Sequence, residues 1–223
     1  MTAELGMDSE ATRSSTPLHV IVTAGPTREY IDPVRYLSNE SSGTMGFAIA
    51  RAARDCGHRV TLVAGPVHQP TPVGVERVDV VSALDMLAAL EERFPGADAI
   101  FMAAAVGDFR PRSRLTGKWK KKEEGGSGAT LELVENPDLL ATIAADKGDR
   151  LVVAFALETA DGEARAASKL VRKNADFIVL NGASALNAAR STVTLLGPDG
   201  VIWSRADSPK EETAEALIGL LAR

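Results

Sequence analysis

Between Ser38 and Gly46 the chain reads SNESSGTMG, an amide, paired hydroxyls and glycines where an α/β protein carries its phosphate loop. The glycine spacing is not that of G-x-G-x-x-G, and no Lys stands before a Ser or Thr as in a P-loop. Other groups able to do chemistry lie further along. Ala103, Ala104 and Ala105 precede Gly107 and Asp108. Such small side chains let a ligand lie against the backbone, and Asp108 can accept from a hydroxyl or hold a metal. Tight packing beside a turn aspartate is the equal alternative. Lys118 lies in a glycine-flanked basic run, which is ordinarily a solvated face and otherwise a catalytic cation. The stretch Asn136-Pro137-Asp138 opens a helix, with Asn136 or Asp138 as its cap and free amides for an anion or a base. Lys169 and Lys173 are four residues apart on a predicted helix, so their ammoniums share a face. That spacing suits a triphosphate tail, although solvated lysines are the usual case.

The elements that must hold these groups alternate. Apolar runs at His19–Gly25, His58–Gly65, Val75–Val81, Ala97–Ala105, Arg150–Glu158 and Ala175–Asn181 read as strands. Most are continuous, as in strands buried on both faces of a parallel sheet. Helices are predicted over Gly43–Cys56, Ser82–Phe94, Asp138–Asp146 and Glu163–Lys173. The pattern predicts an α/β fold with a doubly wound, Rossmann-like, mostly parallel sheet, and ligands beyond the C-terminal ends of its strands. In the first helix Met45, Ala48, Ile49, Ala52, Ala53 and Cys56 form one stripe, which predicts a buried, inert Cys56. Residues 109–130, charged and glycine-rich, read as a mobile flap leading into a strand, TLELVE. Gly197-Pro198-Asp199-Gly200 marks the turn of a β hairpin, a small β appendage. The chain closes on an amphipathic helix with Ser208 as N-cap and Pro209 in its first turn.

The 223 residues suit one domain, residues 18–223, behind a disordered polar tail at 1–17. A net charge of −5 speaks against non-specific nucleic-acid or anionic-membrane partners, and no run approaches the length of a spanning helix. One cysteine excludes an intrachain disulfide and fits a reducing, cytoplasmic setting.

A dinucleotide reductase is the first rival on such a fold. The first turn reads Gly25-Pro26-Thr27-Arg28, and the helix is delayed well beyond it. The second strand ends in Ala64-Gly65-Pro66, with no carboxylate for a ribose diol. Neither Tyr30 nor Tyr36 has a Lys four residues on.

The order of the motifs is more specific than any one of them. TAGPTREYIDPVRYLSNESSGTMG, AAAVGDFRP, GKWKKK, ENPDLLATIA, VVAFALET and KLVRKNADFIVLN closely resemble the successive motifs of phosphopantothenoylcysteine synthetase. The resemblance covers about residues 18–220, nearly the whole folded chain. In bacteria this family is often the C-terminal half of a bifunctional protein with a flavin-dependent decarboxylase, so a separate decarboxylase partner is implied.

The resemblance implies a phosphopantothenate–cysteine ligase of coenzyme A biosynthesis. CTP, with Mg2+, activates 4′-phosphopantothenate as an acyl-cytidylate and releases pyrophosphate; cysteine then displaces CMP. It implies that Ala103, Ala104, Asp108, Lys118, Pro137, Asp138, Leu139, Leu140, Phe155, Lys169 and Lys173 bind the nucleotide. Asn39 is implied at the acyl carbonyl, with Lys118 as the flap cation, and these two are the catalytic pair. Ser41, Ser42 and Gly43, with Arg35 and Ala105, are implied at the second substrate, the first three receiving its phosphate at a helix start. A homodimer is also implied, with no metal ligands assigned. Thr44 stands where the family usually has Lys, and Arg28, Arg35 or a partner subunit would then supply the charge. The remaining rival is a non-catalytic protein that kept the synthetase fold.

Overall fold

The structure is a computed structural model describing residues 16–120, 129–158, 162–182 and 190–222. Most of the expected tail and the centre of the expected flap, 121–128, lie outside the described residues.

The central strand β1 (His19–Ala24) pairs in parallel with β4 (Arg59–Ala64) and with β6 (Ala99–Met102). Beyond β4 lies β5 (Glu76–Asp79); beyond β6 lie β9 (Leu151–Glu158) and β10 (Phe177–Gly182), all parallel. The hairpin β11 (Arg190–Gly197) and β12 (Gly200–Pro209) completes an eight-stranded sheet antiparallel to β10, with Pro198-Asp199 as its turn. Two small ribbons stand apart: β2 (Glu29–Tyr30) with β3 (Tyr36–Leu37), and β7 (Phe109–Pro111) with β8 (Leu133–Glu135). The arms of the flap segment are therefore a β ribbon, and the expected strand over TLELVE begins only at Leu133.

Alternation within continuous apolar strands explains the two cores. On β1, Ile21 faces a cluster with Met86 and Leu90 of α2 (Ala83–Arg93), Ile143 of α3 (Leu139–Ala145) and Leu170 of α4 (Gly162–Arg172). Its neighbours Val20 and Val22 face the other layer, Phe47 and Ile49 of α1 (Thr44–Asp55) and Leu217 of α5 (Lys210–Ile218). Burying Ile49 and Phe47 contributes about 2 to 3 kcal/mol each. Among the described residues, no helix is long and apolar enough to cross a membrane.

Helix ends follow local chemistry. Ser82 caps α2 through a reciprocal box, its Oγ accepting from the Asp85 amide at 3.1 Å while the Asp85 carboxylate accepts from the Ser82 amide at 2.8 Å. Asp138, rather than Asn136, caps α3 by accepting from the Ala141 amide. Two expectations are corrected. Cys56 is exposed: α1 ends at Asp55 and Gly57 turns the chain away at φ 89°, so the apolar stripe outruns the helix. Ser208 does not cap α5. It lies within β12 opposite Ser191, and Pro209, the last residue of that strand, occupies the cap position without a side-chain bond.

Candidate functional site

The C-terminal ends of β6, β9 and β10 open onto two cavities that share Ala104, Val106, Asp108, Phe155 and Lys169 as lining. The smaller, about 460 Å3, is also lined by Pro137, Asp138, Leu139, Leu140 and Lys173. The larger, about 680 Å3, is also lined by Asn39, Ser41, Ser42, Gly43, Ala103 and Ala105. A shallower depression of about 1130 Å3 lies at the opposite ends of the strands, around Leu18, Asp98 and Leu151. It is on the wrong end of a doubly wound sheet for a ligand.

The loop after β1 reaches the larger cavity by tying itself to the loop after β6. The Ala105 amide donates to the Gly25 carbonyl at 2.9 Å, and the Gly107 amide donates to the Thr27 hydroxyl at 3.0 Å. Asn39 closes the join: its Nδ2 donates to the Ala105 carbonyl at 2.7 Å, and its Oδ1 accepts from the Ser41 amide at 3.0 Å. These two bonds fix which end of the amide is which, and leave one N–H of Nδ2 for a ligand. Gly43 sits at φ 76° as the first cap of α1, with its Cβ direction 3.2 Å from the Gly25 nitrogen, so only glycine suits the start of that helix. No acidic residue occupies the first turn of α1. Its open amides therefore favour an anion. Thr44 shares a hydrogen bond with Ser42, 2.9 Å between hydroxyls, and accepts from the Gln69 amide.

In the smaller cavity α3 and α4 face each other. Lys173 Nζ lies 2.9 Å from Asp138 Oδ2. Burial pushes the Asp138 carboxyl up, but Lys173, the Ala141 amide and the charge of Lys169 outweigh it and hold the group below its ordinary value. The expected pair of cations is thus a cluster of Lys169, Lys173 and a carboxylate.

Lys118 and Arg35 line neither cavity. Lys118 is exposed on the flap arm, next to Trp119. The anchor of that arm is Asp32, which the sequence reading passed over. Asp32 is fully buried and accepts from the amides of Val34 and Arg35 at 2.8 Å each and of Trp119 at 3.0 Å, and from the Arg35 guanidinium. Burial alone would raise this carboxyl; the donors of Trp119, Val34 and Arg35 hold it far below the carboxylate range. The Asp32-Pro33 turn was the signal available, since aspartate before proline favours a side-chain-bonded turn. Also unforeseen are Asn181, Ser191 and Lys210 in the lining of the larger cavity, brought there by β10, β11 and the start of α5.

Gly65, just after β4, faces the backbone of the first loop: a Cβ there would stand 1.8 Å from the Pro26 carbonyl oxygen. In a dinucleotide fold this strand end holds the ribose carboxylate. Here the Pro26 backbone fills it.

Comparison with known proteins agrees with the motif order. The chain is 47% identical over 207 residues to the coenzyme A biosynthesis bifunctional protein CoaBC of Vibrio cholerae, covering 91% of this chain and 51% of that protein. It is 46% identical over 188 residues to the protein of the same name from Escherichia coli K12, covering 82% and 46%. The chain thus spans about half the length of the curated relatives it matches. Among solved structures, the C-terminal domain of coenzyme A biosynthesis bifunctional protein CoaBC superposes with a TM-score of 0.79 at 36% identity, over 92% of this chain and 93% of that one. Residues 16–223 match the DNA/pantothenate metabolism flavoprotein C-terminal domain, and the chain belongs to that family.

Proposed function

We propose that this chain is a phosphopantothenate–cysteine ligase that uses CTP to activate 4′-phosphopantothenate. The observation that carries the reading is the meeting of the two cavities at Ala104, Asp108, Phe155 and Lys169. A nucleotide in one and an acyl substrate in the other would touch where they join. The kinship with coenzyme A biosynthesis proteins supports the same reading.

A carboxylate is a poor acylating agent because its leaving group would be an oxide. Its oxygen therefore attacks the α-phosphorus of CTP, forming an acyl-cytidylate and expelling pyrophosphate. Both partners are anions, so cations must offset the charge. Lys169 and Lys173 border the smaller cavity, and Lys118 reaches the site by closure of the flap arm. The amine of cysteine then attacks the carbonyl and CMP leaves with the bonding electron pair. The unengaged N–H of Asn39 Nδ2 donates to the oxyanion formed in that step. A closed flap also keeps water from the anhydride.

Magnesium fits the donors present. Among the described residues no group of three or more His, Cys, Asp or Glu gathers as a cage. Mg2+ commonly binds through one carboxylate and the substrate phosphates, and Asp108 on the shared wall would provide that carboxylate. The ion would neutralise phosphate charge. In this reading the protein works as a cytoplasmic homodimer, and a flavin-dependent decarboxylase takes its product. The deciding experiment measures pyrophosphate and CMP formed from phosphopantothenate and cysteine with CTP or with ATP. Release of both products with CTP is expected; a protein that binds these ligands and releases neither product overturns the reading.

A further inference from the structure

Lys210 is the first residue of α5, is only 6% exposed, and lines the larger cavity. Among the described residues its ammonium has no hydrogen bond and no ion pair. Its chain neighbour Glu211 supplies the nearby opposite charge. Ser191 lines the same cavity, is 4% exposed, and its buried Oγ has no hydrogen-bond partner. A buried hydroxyl without a partner, beside the ammonium of a largely buried lysine, is unfavourable in a folded protein unless something completes it.

The surroundings say what that is. Helices α1 and α5 pack against each other, and residues at the start of each, Thr44 and Lys210, line the cavity. Helix starts present unpaired backbone N–H groups and the positive end of the dipole. Ammonium, hydroxyl and open amides are all donors, and the complementary ligand is a compact group of acceptor oxygens bearing negative charge. Glu40 also borders this cavity, and Glu211 and Glu212 stand in the first turn of α5, but all three are exposed. Burial pushes the Lys210 ammonium below its ordinary range, Glu211 pulling the other way, as expected of a cation awaiting its counter-charge.

We propose that Lys210 and Ser191, with the amino ends of α1 and α5, form a subsite for a substrate phosphoryl group, additional to the Lys169 and Lys173 cluster. The proposal deepens the ligase reading and rests on the larger cavity taking a phosphorylated substrate. The phosphoryl group has two sources, the phosphate of phosphopantothenate and the phosphates of the nucleotide.

The test uses the full chain and the variants Lys210→Met, Lys210→Arg and Ser191→Ala. Calorimetric titration with inorganic pyrophosphate is expected to show about tenfold weaker binding in Lys210→Met, a smaller loss in Ser191→Ala, and recovery in Lys210→Arg. The melting temperature of Lys210→Met is expected at or above that of the parent, because a desolvated charge is removed. If that variant does not fold, Ser191→Ala decides by the same titration. In turnover, a raised KM for phosphopantothenate alone assigns the subsite to its phosphate, and a raised KM for CTP alone assigns it to the nucleotide. Unchanged pyrophosphate affinity with both KM values unchanged overturns the subsite. If the parent protein makes no product, the ligase reading falls, while the pyrophosphate titration still decides the subsite.

Discussion

Lys173, one residue past the end of α4, and Asp138 at the cap of α3 meet across the smaller cavity, Nζ to Oδ2, at 2.9 Å. One carboxylate therefore serves two ends: it caps a helix through the Ala141 amide and holds a cation over the cavity. Lys173→Met should raise the KM for CTP about tenfold, the usual scale for losing a charge-assisted hydrogen bond. An unchanged KM would remove Lys173 from the phosphate site.

The same pair has a pH signature. The folded-state carboxyl of Asp138 is held below its ordinary value of 3.8. Its ionised form therefore stabilises the fold above that ordinary value, and the contribution is lost as pH falls through the lowered one. Lys173→Met removes the main lowering partner, so the loss should begin at higher pH. Melting temperature followed from roughly pH 6 down to pH 3 checks this; overlapping curves for parent and variant would refute the coupling.

Asn39 is held by both ends of its amide. Asn39→Asp sets a carboxylate oxygen against the Ala105 carbonyl and deletes the N–H meant for the oxyanion. Pyrophosphate release without cysteine should persist, while transfer to cysteine falls by about a hundredfold or more. Equal loss in both half-reactions would dismiss the division of labour.

Asp32 accepts from donors on two segments, its own turn and Trp119 on the flap arm. Asn at this position presents a donor to those donors. Asp32→Asn should speed tryptic cleavage at Lys118 and Lys120, and CTP with phosphopantothenate should slow cleavage in the parent protein. Cleavage that is indifferent to ligand would count against flap closure. Lys118→Gln, with Asp32 intact, should lose pyrophosphate release while the arm stays anchored.

Much of this architecture was legible from sequence because burial on both sheet faces leaves continuous apolar runs. Each of the six parallel strands starts within two residues of its run, β6 and β10 being displaced furthest. Contacts between segments distant in sequence were not legible. Asp32 gains its meaning from Trp119, 87 residues on. Lys210 belongs to a segment the sequence marks only as an amphipathic helix, and its burial shows only in the folded chain, where α5 packs on α1. Cys56 failed for a simpler reason: periodicity continues on paper after a helix has stopped. Site residues carried by contiguous motifs, such as Ala103–Ala105 and Pro137–Leu140, do line the cavities, whereas Lys118 and Arg35 belong to the flap and its anchor.

The close approach of Pro26 to Gly65 bears on how this protein can change. A gain of nicotinamide chemistry needs a carboxylate at the end of β4, and any side chain there meets the Pro26 carbonyl at 1.8 Å. Single substitutions at Gly65 therefore lead through poorly folded forms before they reach a new cofactor. The first loop would have to be rebuilt in the same step, and that loop carries Asn39. A dinucleotide site of the usual kind at the end of β4 is therefore closed to this chain by a single backbone contact.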